Sequence, residues 1–298
     1  MDYEGFELST ELKMLRETVK RFMRSEILPL ERELDPDATE LPKGEFDRLR
    51  KKAREMGLWY YGEPEEYGGG GLDLFSSVIV MEELAQCRAG LYFPAYGVFG
   101  FLSTPPPVIY AGTREQIEKY AIPCIRDAQH TVFAITEPSG GSNPAETTQM
   151  TAVKDGNDWI LNGTKTFASE FDTAEWGVTF ARTDPEAKRG GITCFIIDKG
   201  MKGTSFRLIP VIRSWYPCEV SFEDCRVPAE NVLGEVGQGL ELTNKLLTRG
   251  RVLYSAGNLG VAVAAQRMAV DYAKQRMVFG ELLSRKEAIQ WMLADSEV

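Results

Sequence analysis

The hydrophobic period changes twice along this chain, and that alternation limits its fold more than any single motif does. Over 8–129 apolar residues recur at helical steps. Leu8, Leu12, Leu15, Val19, Phe22 and Ile27 form a first stripe, with Ser9 or Thr10 as cap and Pro29 as stop. The run FDRLRKKAREMG closes at Gly57, a glycine that suits a helix C-terminus. PEEYGGGGLD (64–73) reads as a loop, LFSSVIVMEELAQC restores helix, and Pro105, Pro106 and Pro107 break it before REQIEKYAIPCI. Over 131–231 the period becomes two. HTVFAITEP, TQMTAVKDG, DWILNGTKTFAS, WGVTFARTD, GITCFIIDKG and CEVSFEDCRV are six short runs rich in β-branched and aromatic residues, separated by Gly, Asp and Asn turns. From 237 the helical period returns. The spacing predicts one helix over 240–277, about 57 Å long at 1.5 Å per residue, and the start of another in KEAIQWMLADSEV. The expected fold is α+β: an N-terminal α-helical domain (1–130), a small middle β-barrel domain (131–235) and a C-terminal helical bundle (236–298). One long helix and part of a second lack facing partners, so this reading makes the last bundle incomplete and the chain truncated.

Composition removes several functions. The 34 Lys+Arg against 44 Asp+Glu give a net charge of −10, unsuited to gripping nucleic acid across a broad face. The single histidine, His130, rules out a multi-histidine metal site and would have to serve any Ser-His-Asp triad. Five widely spaced cysteines with no C-x-x-C pair read as thiols in a reducing compartment. The N-terminus is acidic and polar, and no uncharged apolar run reaches about 18 residues. A cytoplasmic chain without a membrane segment is expected.

Thr136–Ser142 is a strand end opening into a Ser/Gly-rich loop. Glycines permit positive φ and expose N–H groups, and hydroxyls add donors, so the loop could cradle a phosphate or the polar edge of a flat ring as readily as form a hairpin turn. Taken alone, Phe167 reads as a strand core residue and Arg276 as a solvated arginine near a helix end.

Four segments in fixed order carry a family resemblance: AITEPSGGS (134–142), LNGTKTFAS (161–169), FEDCRVPAENVLGEVGQG (222–239) and KQRMVFG (274–280), with PEEYGGGGLD as a fifth. Through them the chain resembles the acyl-CoA dehydrogenases, from about residue 8 to the end. The resemblance implies FAD as cofactor and α,β-dehydrogenation of an acyl-CoA thioester, with an electron-transfer flavoprotein or similar acceptor. It implies that Phe133, Ile135, Thr136 and Ser142 line the FAD site, that Phe167 covers the flavin ring where many members have tryptophan, and that the Ser169 hydroxyl bonds near the reactive nitrogen. Arg276 and Phe279 match residues that reach the FAD of a neighbouring subunit, which implies a homodimer or homotetramer. Ser142 and Arg251 match acyl-CoA contacts, with Arg249 as the alternative register. Neither nucleic acid nor membrane enters this reading.

The sequence departs from the family at three places. Glu281 stands where a basic residue is common and Glu287 where glutamine is common, so two carboxylates would oppose a pyrophosphate. Gly250 occupies one of two positions from which the family aims its glutamate base, and the resemblance puts the other beyond Val298. Glu241 and Glu137 are nearby carboxylates, Glu137 reading as structural. A flavin oxidase of the same superfamily and a non-catalytic CoA- or partner-binding fragment remain alternatives. Acyl chain length is not legible from Tyr60, Tyr61 or the Phe-rich stretch 92–101.

Overall fold

The computed structural model describes residues 7–35, 41–87, 97–100, 105–211 and 216–298. Of the Phe-rich stretch, 92–96 and 101 lie outside the described residues, while Val98 and Phe99 are fully buried. The chain forms two compact units. One comprises Met1–Glu55, Leu72–Phe99 and Gly250–Val298, the other Met56–Gly71 and Gly100–Arg249.

The first unit is helical. Ser9 caps the Thr10–Phe22 helix by accepting from the Leu12 amide, and Val19 and Phe22 turn inward, Phe22 meeting Phe99 edge-on at 5.2 Å. Pro29 does not end this run. A five-residue π-helical segment, Met23–Ile27, leads into Leu28–Glu33, and the backbone stays right-handed helical across both junctions. The Leu28 amide reaches back to the Met23 carbonyl, and this wider turn accommodates the proline that follows. In the other unit the same device recurs: π-helical Ile117–Ala121 precedes Pro123 in the helix Ile122–Asp127.

Asp73 caps the Leu74–Leu84 helix through the Ser76 amide at 2.7 Å. The long helix Gly239–Ala273 passes this segment so closely that a Cβ on Gly260 would lie 2.1 Å from the Glu82 carbonyl oxygen. The long helix therefore has a facing partner within this chain, and the expectation of an unfinished bundle is not borne out. The helix also stops at Ala273, short of 277. A two-stranded hairpin, β9 (Met277–Val278) with β10 (Glu281–Leu282), takes over, and Phe279 and Gly280 turn it at φ +50° and +79°. The last helix is Glu287–Glu297.

The second unit is built on one sheet in the order β6-β7-β3-β2-β4-β5-β8, with β1 added beside β4. The strands are β1 (Thr131–Ala134), β2 (Thr151–Asp155), β3 (Asp158–Ala168), β4 (Trp176–Arg182), β5 (Ile192–Asp198), β6 (Thr204–Leu208), β7 (Cys218–Val227) and β8 (Val232–Leu233). Six of them are the six runs read from the sequence; β6 and β8 are additional. The sheet is not the closed barrel expected. β2 touches β4 at one residue pair, Thr151 with Arg182, because β1 occupies the adjoining stretch of β4 in parallel register. The half-exposed β6 and the two-residue β8 remain as edges. One core gathers Trp159, Leu161, Phe195, Val220 and Phe222, and a second gathers Ile109, Trp176, Phe180, Ile192 and Leu233. Strands β4 and β5, buried almost throughout, serve both. All five cysteines are buried and free. Among the described residues no helix is long and apolar enough to cross a membrane.

Candidate cofactor site

The site begins where β1 runs out. Phe133 and Ile135 pack partly buried against the second core, Phe133 with its ring 5.2 Å from Phe180. The chain then turns, the Glu137 amide donating to the Gly140 carbonyl at 3.1 Å and the reverse bond closing at 2.9 Å. Gly140 sits at φ +149°. A Cβ on Gly141 would lie 2.8–2.9 Å from the Thr136 side chain, so only glycine leaves that threonine its position. Ser139 donates to the Thr147 carbonyl at 2.7 Å, fastening the far side of the loop. Among the described residues the hydroxyls of Thr136, Ser142 and Ser169 enter no hydrogen bond, which leaves three polar groups for a ligand.

Strand β3 arrives beside this loop, the Thr166 amide donating to the Thr136 carbonyl at 2.8 Å. Its register against β7 slips between Lys165 and Ala168. That bulge puts Phe167 at φ +57° with 59% of its surface exposed. The reading of Phe167 as strand core is thus overturned by the register slip, which turns the ring outward. A left-handed conformation costs a non-glycine residue about 1–2 kcal/mol, and such strain persists where the surroundings impose it, often at ligand sites. The bulge delivers an exposed aromatic face next to an open glycine loop.

Two charged groups here escape a reading of motifs. Lys165 is fully buried, with Nζ 2.7 Å from Glu137 Oε1 and 3.3 Å from the Ile135 carbonyl oxygen. Burial pushes the Lys165 ammonium toward its neutral form and the Glu137 charge pushes it back. The only sequence signal was a lysine inside a motif and an acid inside another, 28 positions apart. Glu170, directly after Ser169 and at φ +66°, has its carboxyl pushed up to about 7 by burial and then by Asp172. Its Oε2 lies 3.6 Å from His130 Nδ1.

The remaining candidates, Arg249 apart, belong to the helical unit. Arg251 is exposed on the long helix, and a Cβ at Gly250 would meet nothing within 4 Å. Arg249, the alternative register, is engaged within the sheet unit, donating to the Gly62 carbonyl at 2.5 Å. Arg276 lies exposed between the long helix and the hairpin, and Phe279 at the turn is 97% exposed. Glu281 is held by Lys286 at 2.9 Å, which lowers its carboxyl pKa and offsets the charge that would oppose an anion. Glu287 opens the last helix, where its charge suits the helix dipole.

Three family descriptions match consecutive stretches of the chain: acyl-CoA dehydrogenase N-terminal domain over 9–127, middle domain over 132–225 and C-terminal domain over 237–298. A 3-(aryl)acrylate reductase of Clostridium sporogenes is 36% identical, the match covering 96% of this chain and 74% of the relative. A short-chain specific acyl-CoA dehydrogenase of Clostridium acetobutylicum is 32% identical over 98% of this chain and 76% of the relative. A chain solved in work on the electron transferring flavoprotein of Acidaminococcus fermentans, directed at flavin-based electron bifurcation, is 33% identical. It aligns with a TM-score of 0.80 over 99% of this chain and 76% of its own length.

Proposed function

We infer a reaction from one premise: the chain belongs to the acyl-CoA dehydrogenase family. It is an FAD-dependent oxidoreductase that introduces an α,β double bond into an acyl-CoA thioester. The observation that carries the residue assignments is Phe167, held exposed in a left-handed bulge between the hydroxyls of Thr136 and Ser142 on the loop and that of Ser169 just past β3, none of them hydrogen-bonded among the described residues. The fit to a flavin is chemical: an aromatic face for a flat ring, hydroxyls for its polar edge, and a glycine that keeps Thr136 in place.

When bound, FAD supplies the acceptor for the hydrogen that leaves the thioester β-carbon with its electron pair. The chain's own residues hold and orient. Phe133 and Ile135 form the apolar floor, Thr136, Ser142 and Ser169 offer hydroxyls, and Phe167 covers the ring. Arg251 holds the thioester end of the acyl-CoA, and Ser142 serves both ligands. Arg276 and Phe279 reach the cofactor of a second copy, so the working form is a homodimer or homotetramer. Proton removal from the α-carbon needs a base, and at Gly250 this chain presents none. Electron-transfer flavoprotein is the acceptor in this reading, supported by the likeness to the Acidaminococcus chain, and the setting is cytoplasmic.

A second reading runs the same chemistry in reverse, reducing an α,β-unsaturated acyl compound, and the similarity to an arylacrylate reductase favours it. One experiment separates the two. The FAD-loaded protein is given a saturated short-chain acyl-CoA with an oxidised dye, and separately an enoyl-CoA with a reduced dye. Chromatography should show enoyl-CoA formed faster in the first mixture than saturated thioester in the second. The opposite order supports the reductase, and no conversion in either refutes both.

A further inference from the structure

The Lys165–Glu137 pair is expensive to bury, and the fold has no evident need of it. Lys165 is fully inside the unit and Glu137 is 5% exposed. Ion pairs so deep seldom stabilise more than apolar side chains of the same volume would, because desolvation offsets the attraction. This pair is held by several bonds. Lys165 donates to Glu137 and to the Ile135 carbonyl, while the Glu137 carboxylate accepts from the Gln149 amide at 2.7 Å and the Met150 amide at 3.1 Å. The two groups gripped by the ammonium, on residues 135 and 137, flank Thr136. Two residues after Lys165 on β3 comes Phe167.

We propose that the Lys165–Glu137 pair is a positioning device for the cofactor: it clamps the loop on both sides of Thr136 and ties it to the strand that presents Phe167. The proposal rests on the assignment of Thr136 and Phe167 to FAD. Neither charged group touches the cofactor in this scheme; each acts through the loop. A pair that merely filled the core could be exchanged for apolar residues without effect on the ligand. A clamp could not, because the Ile135 carbonyl and the amides of Gln149 and Met150 would lose the partners that aim them.

The test uses the full chain reconstituted with FAD. It measures the FAD dissociation constant by flavin fluorescence, the visible circular dichroism of the bound flavin, and the thermal midpoint of the apoprotein. In Lys165→Met/Glu137→Leu the midpoint should fall by several degrees, because two amides and a carbonyl lose their partners, and the protein that remains folded should bind FAD at least about tenfold more weakly. The dichroism should change as well. Parental affinity and dichroism in that variant overturn the proposal. Should the double variant not fold, Glu137→Gln decides: its one oxygen can serve both amides, while its NH2 replaces the oxygen that accepts from Lys165 and so breaks the pair. It should weaken FAD and alter the dichroism, and unchanged values again overturn the proposal. Thr136→Val and Phe167→Ala test the underlying assignment. If they weaken FAD while the pair variants do not, only the clamp falls. If they too have no effect, the cofactor assignment falls and the clamp with it.

Discussion

Replacing Phe167 with glycine should separate stability from binding. At φ +57° the phenylalanine backbone carries about 1–2 kcal/mol of strain, which glycine relieves. Against this stands lost burial. The residue is 59% exposed, so only about two fifths of a buried phenylalanine's ~1.5–3 kcal/mol is at stake, roughly 1 kcal/mol. Glycine also gains about 0.5–1 kcal/mol of entropy in the unfolded chain. These contributions nearly cancel, and the apoprotein should stay within about 1 kcal/mol of the parent. Phe167→Ala loses the same burial and keeps the strain, so it should be the less stable of the two variants, melting a few degrees lower. Both remove the ring that covers the flavin. Aromatic stacking on a flat heterocycle is worth about 1–3 kcal/mol, so FAD should bind roughly tenfold or more weakly to each. Urea melts of the apoproteins and flavin fluorescence titrations read the two effects. A glycine variant less stable than the alanine variant, with FAD affinity unchanged, would refute the idea that the strain exists to present the ring.

Gly250→Glu has open space for its side chain and should raise acyl-CoA-dependent dye reduction, since general-base catalysis is worth about 10²–10⁴-fold; Thr248→Glu should not, and equal rates in both variants would discard position 250 as the base position. Glu170, with its carboxyl raised to about 7 from 4.5, binds more protons folded than unfolded between those values. Its contribution to stability is therefore present at low pH and lost as pH rises to about 7, with a slope of up to ~1.4 kcal/mol per pH unit. Glu170→Gln should flatten melting temperature against pH across that window, and an unchanged profile counts against the assignment. Gly260→Ala must push the Glu82 backbone away from a 2.1 Å contact and should cost about 1–3 kcal/mol, whereas Gly44→Ala in the open helix Lys43–Glu55 should stabilise by about 0.5–1 kcal/mol; equal melting temperatures would contradict the close packing.

What the sequence shows directly is local. Six strands announce themselves by β-branched and aromatic residues between turn residues, and the glycine loop after β1 by its composition. β6 is missed because its residues are mostly exposed, and β8 because two residues carry no period. Pro29 misleads as a stop because a preceding π-helical segment carries the helical backbone on through it. The barrel expectation fails on a pairing between distant segments, since β1 beside β4 is invisible to local pattern. The site divides in the same way. Thr136 and Ser142 are readable from loop chemistry, but the outward turn of Phe167 depends on the register of β3 against β7, and the importance of Lys165 depends on an acid 28 residues away.

The most direct test of the function is anaerobic addition of a saturated short-chain acyl-CoA to the unmodified, FAD-loaded protein while the flavin spectrum is followed. The spectrum is followed for minutes to hours, long enough to register turnover even about 10²–10⁴-fold below that of a reaction with full general-base catalysis. Bleaching of the flavin, with enoyl-CoA appearing in equal amount, is the predicted result. A flavin that binds but stays oxidised over that time, in the unmodified protein and in Gly250→Glu alike, would contradict the assignment of this chain as an acyl-CoA dehydrogenase.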